Sequence, residues 1–72
     1  MTKSIEEILK ELKNKRSTVF SFNLSIDEVK ELEKHRVKFS HEVGKILGSA
    51  RIDMLEGKGN YYKTLKITKI KD

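Results

Sequence analysis

His35 and His41 are six residues apart, a spacing that matches no recurring pair of metal ligands, and the chain has no cysteine to supply a thiolate or a disulfide. His35 follows Glu31 by four residues in a helical segment, so it is expected in an exposed ion pair rather than in ligation or catalysis. Gly57-x-Gly59 follows a helical pattern instead of opening one and does not read as a phosphate loop. The aspartates and glutamates fall on solvated helix faces, away from any nucleophile. No enzyme, metal or cofactor is expected. What remains is hydrogen-bonding chemistry. Ser21, Asn23 and Ser25 present short polar side chains at alternate positions, able to meet nucleobase edges. Asn23 can make two hydrogen bonds to adenine, whereas the two serines discriminate poorly. Tyr61 and Tyr62 are placed either to stack on bases or to anchor the end of the chain to the core.

Four periodic segments must position these groups. Residues 4–16 predict a helix. Ser4-Ile5-Glu6-Glu7 is a capping box, and Ile5, Ile8, Leu9 and Leu12 form one apolar stripe. At Ser17 the period drops to two. Residues 18–25 read as a strand with Phe20, Phe22 and Leu24 on one face. Ser25-Ile26-Asp27-Glu28 is a second capping box, opening a helix to about His35. A break is expected at Val37-Lys38-Phe39, after which Ser40 caps a third helix. In that helix Phe39, Val43, Ile46, Leu47, Ala50 and Met54 share an arc. Gly44 and Gly48 either admit another backbone or are tolerated surface residues. Gly57-Lys58-Gly59-Asn60 is a turn. The following residues have no clean period and read as a weak strand or a partly ordered basic tail.

Seventy-two residues make one small domain, divided as 1–17, 18–56 and 57–72. With 38% charged residues the chain is too polar to span a membrane, and no apolar run approaches signal-peptide length, so a cytoplasmic location is expected. The net charge of +5 is uneven: the three stretches 18–39, 40–56 and 57–72 carry 0, −1 and +4, and residues 1–17 carry +2. Basic ends around a balanced centre suit a polyanion, or simply solubility. One strand per chain leaves its edge groups unpaired. The simplest remedy is antiparallel pairing with a second copy, giving a homodimer whose two-stranded ribbon packs on helices. Its polar face, with Ser21, Asn23 and Ser25, would fit a major groove.

Phe22-Asn23-Leu24-Ser25, running into Asp27-Glu28-Val29 and Leu32, together with the pair Phe39-Ser40, resembles the ribbon-helix-helix family of DNA-binding proteins, the MetJ/Arc class. The likeness covers about residues 18–55. It implies a mainly α intertwined homodimer with one short strand per chain. It also implies base contacts from Ser21, Asn23 and Ser25 and a phosphate held by the backbone at Ser40 and His41. Phe20, Phe22 and Leu24 would be dimer core, joined by Val43, Ile46, Leu47 and Ala50 of the third helix. Lys15, Arg16 and Lys38 flank the strand and the third helix, where phosphates would lie. The sequence departs from the family pattern in three ways. Its segment between strand and second family helix is short, the glycine of the inter-helix turn is absent, and an amphipathic helix precedes the strand. The expected function is sequence-preferring or weakly specific double-stranded DNA binding by a small transcriptional regulator, such as a repressor, that inserts a β-ribbon into the major groove. The alternative is a protein-interaction module, such as an antitoxin whose residues 57–72 wrap a partner.

Overall fold

In the computed structural model, which describes residues 4–70, both capping boxes are made. The Ser4 hydroxyl accepts from the Glu7 amide at 3.2 Å, and the Glu7 carboxylate accepts from the Ser4 amide at 3.4 Å. They open α1 (Ile5–Asn14). Ser25 and Glu28 do the same at 3.3 and 2.7 Å and open α2 (Ile26–Lys34). Between them β1 (Val19–Leu24) buries every second residue: Phe20, Phe22 and Leu24 point inward. Ser25 thus ends the strand as a helix cap rather than extending its polar face. Residues 1–3 and 71–72 of the expected end segments lie outside the described residues.

Beyond α2 the expected fold is overturned. The third helix, α3, spans Arg36–Leu47 and is joined to α2 through His35 alone. Nothing in Val37-Lys38-Phe39 breaks a helix, so Ser40 lies a turn inside α3 instead of capping it. The helix ends at Gly48, whose φ of 77° and ψ of −139° lie in territory that only glycine occupies readily. The chain then turns into β2 (Ala50–Glu56) and, after a loop, β3 (Lys63–Lys69). The protein is therefore not mainly α with one strand. It is an α/β fold of three helices and a three-stranded antiparallel sheet, in the order β1-β3-β2.

The sheet answers the unpaired-strand problem within one chain. β3 takes β1 on one side, with Phe22 opposite Leu65, and β2 on the other, with Ile52 opposite Ile67. The Lys69 amide donates to the Thr18 carbonyl at 2.7 Å and the Tyr62 amide to the Leu24 carbonyl at 2.9 Å, extending the β1–β3 ladder at both ends. The ribbon shared with a second copy is thus replaced by an intrachain sheet, and the ribbon-helix-helix expectation does not hold. Residues 63–69 are no tail. Leu65 and Ile67 are 0% exposed at the centre of the core.

All three helices lie on one face of the sheet. Ile8 and Leu12 of α1, Val29 and Leu32 of α2, and Phe39 and Val43 of α3 join Phe20, Phe22, Leu24, Leu65 and Ile67 in one cluster. The residues expected in a dimer core, Phe20, Phe22, Leu24 and Val43, are buried inside the single chain, and Ile46, Leu47 and Ala50 pack on its rim.

Candidate nucleic-acid interface

α2 and α3 are consecutive helices joined through His35 alone. The inward face of α3 is fixed by Phe39 and Val43, with Ile46 and Leu47 partly buried beside them. A helix so anchored must present its other face to solvent. That face carries Val37, Ser40, His41, Gly44 and Lys45, all exposed. Val37 is 84% exposed, and a Cβ built on Gly44 would meet nothing within 4 Å. The helix thus offers a small-residue surface with open space before it, flanked by Arg36, Lys38 and Lys45.

Beside α3 stands the β2–β3 hairpin. Ala50, Ile52 and Met54 of β2 face Arg36, Phe39 and Ser40 across a shallow groove. The hairpin loop projects Lys58, Tyr61 and Tyr62 into solvent, each tyrosine being 50% exposed. Its tip is a turn closed by the Tyr61 amide on the Lys58 carbonyl at 3.1 Å. Gly57 is required there, because a side chain would collide with the Tyr61 carbonyl. The Lys63 ammonium lies 5.5 Å from the centre of the Tyr62 ring, within cation–π range. Across α3 and residues 56–63, five lysines and arginines face two glutamates, of which Glu42 is held by Lys45 at 3.4 Å.

The groups expected to read DNA are divided between two sides of the molecule. Ser21 and Asn23 lie on the sheet face turned away from the helices, opposite Lys66 and Thr64 in register. Asn23 is engaged there: its side-chain oxygen accepts from the Thr64 hydroxyl at 3.2 Å. Ser25 is a helix cap. Lys15 and Arg16 follow α1, where Lys15 lies 3.8 Å from Glu11. Lys38, Ser40 and His41 are on α3. The Phe39 amide already donates to the His35 carbonyl, and Ser40 comes one residue later, so neither Ser40 nor His41 offers a free helix-start amide. His35 Nε2 lies 3.3 Å from a Glu31 carboxylate oxygen, the i to i+4 contact that the spacing predicts. Nothing in the sequence sets Arg36, Lys45 or Lys63 apart, and Val37 and Lys58 read only as part of a break and of a turn. Gly44 carried the one signal, as a place where another backbone could come close.

Among the described residues, no three His, Cys, Asp or Glu side chains gather as a metal site, and no helix is long and apolar enough to cross a membrane. Comparison with protein-family models, curated proteins and solved structures yields no match.

Proposed function

We propose that the protein binds double-stranded DNA by laying α3 in the major groove, with the β2–β3 hairpin as a wing against the neighbouring phosphates. The observation that carries this reading is the outward face of α3. It belongs to the second of two consecutive helices, it is exposed along its length, and it combines small residues with flanking cations. In helix-turn-helix proteins the second helix enters the groove and its first turns meet the base edges, and α3 is proposed for the same use. Val37 suits a thymine methyl group, Ser40 suits several bases, and Arg36 suits a guanine edge. Lys45, Lys58 and Lys63 suit phosphates, which supply affinity without sequence information. The role is that of a small regulator acting inside the cell.

A partner-wrapping tail has little support. Residues 63–69 are the central strand, so among residues 57–70 chiefly the hairpin loop is available to another protein.

The test is fluorescence anisotropy of a short labelled duplex over a salt series, together with amide chemical-shift mapping. Binding that weakens steeply with salt, with shifts concentrated in α3 and residues 57–63, is the expected result. Absence of binding at low salt, or shifts centred on Ser21 and Asn23, would overturn it.

A further inference from the structure

On the flank of α3 opposite the hairpin, a groove of about 700 Å³ opens between α1 and α2. Its floor and walls are apolar: Ile5, Leu9, Leu24, Leu32 and Phe39 line it. The α1 stripe is wider than the core covers. Ile8 and Leu12 are buried, but Ile5 and Leu9 are only partly so.

The rim has the opposite charge from the rest of the chain. Glu6, Asp27, Glu28, Glu31 and Glu42 surround the groove, against Lys38 and His35. In a protein of net charge +5 this is a concentrated negative patch. Several of these carboxylates have local duties: Glu28 caps α2, Glu31 meets His35 and Glu42 meets Lys45. The surplus of negative charge remains, and it repels a phosphate backbone. The groove is therefore unsuited to nucleic acid.

We infer that the α1–α2 groove docks a basic amphipathic helix of a partner protein. Leucine-like side chains of that helix fill the floor, and its lysines or arginines meet the carboxylate rim. Helix-in-groove recognition needs this combination of an apolar trough and complementary charge at its edges. The groove and the hairpin lie on opposite flanks of α3, so a docked helix leaves the outward face of α3 open. The inference does not depend on DNA binding.

The probe is a synthetic peptide of about 15 lysines and leucines, with leucines at helical spacing. It is titrated into the full chain and followed by amide chemical shifts. Shifts at Ile5, Leu9, Asp27 and Glu31 are expected, and roughly tenfold weaker binding in the Glu6→Lys/Glu31→Lys double variant. Leu9→Ser, checked for folding by circular dichroism, should also weaken binding while leaving the rim charge intact. Equal binding of a scrambled peptide that lacks the leucine stripe would overturn the inference, as would shifts centred elsewhere. So would groove resonances that move on dilution together with a change in sedimenting mass, because the occupant would then be a second copy. Groove resonances moved by duplex DNA instead of the peptide would also defeat it.

Discussion

Asn23 and Thr64 face each other across β1 and β3, and the Thr64 hydroxyl donates to the Asn23 carboxamide oxygen at 3.2 Å. Thr64 is only 7% exposed, although it lies on the sheet face turned from the helices. Asn23 therefore satisfies a buried hydroxyl. Asn23→Ala should cost about 1–3 kcal/mol by leaving that hydroxyl without its partner. Thr64→Val should cost less, because the exposed Asn23 can turn to water. Urea unfolding of both variants checks the order. DNA affinity should be unchanged in either, and a loss of affinity with stability intact would return Asn23 to the interface.

Gly44 separates stability from function. It lies inside α3 with open space before it, so Gly44→Ala should stabilise the fold by about 0.5–1 kcal/mol through helix propensity. If α3 approaches DNA closely, the same methyl group should weaken binding. Thermal melts and anisotropy on one preparation give both numbers. A stabilised variant with unchanged affinity would show that this face does not sit against a base pair.

Lys45 and Lys58 belong to different elements, the helix and the hairpin loop. Replacing either with alanine should reduce the magnitude of the salt slope of binding by about 0.9 and weaken all sequences alike. Lys10, on the exposed side of α1, serves as the control. An equal change in Lys10→Ala would mean that the chain binds through diffuse charge.

Burial of Leu65 and Ile67 makes β3 indispensable. Leu65→Ala should lose roughly 2–5 kcal/mol and leave little folded protein in a domain this small. Because β3 completes the sheet within one chain, the unfolding midpoint of the unaltered protein should hold over about a hundredfold dilution. A midpoint that rises with concentration would show that association contributes to the fold.

The first half of the chain was readable because its signals are local. Ser4 and Ser25 announced their helices by capping boxes, and Phe20, Phe22 and Leu24 announced a strand with one buried face. The second half carries conflicting periods. Ala50, Met54 and the earlier Ile46 and Leu47 fit a helical arc, while Ala50, Ile52 and Met54 equally fit the inward face of a strand. Ala, Met, Leu and Glu are good helix formers, so propensity favoured the wrong alternative. The deciding feature was Gly48, whose positive φ stops the helix. β3 was hidden for another reason. Paired on both edges, it buries Thr64 on one face and Leu65 and Ile67 on the other, while its lysines gave it the look of a solvated tail. Of the candidate site, Lys38, Ser40 and His41 were singled out, but on a helix whose start was misplaced by one turn.

The strand that holds the sheet together is also the last one synthesised. β1 and β2 never touch as neighbours, and each needs β3 between them. Val19 must wait for Thr68, and Ala50 for Lys69, before either has its partner. On the ribosome, the backbone edge of β1 therefore emerges long before its partner strand does. A chain interrupted anywhere before β3 leaves β1 and β2 unpaired, lacks Leu65 and Ile67 of the core, and should be cleared by proteases. The short-range β2–β3 hairpin is expected to close first, with β1 docking onto it across the longer separation. Folding of this domain is thus a check that translation has run at least as far as Lys69.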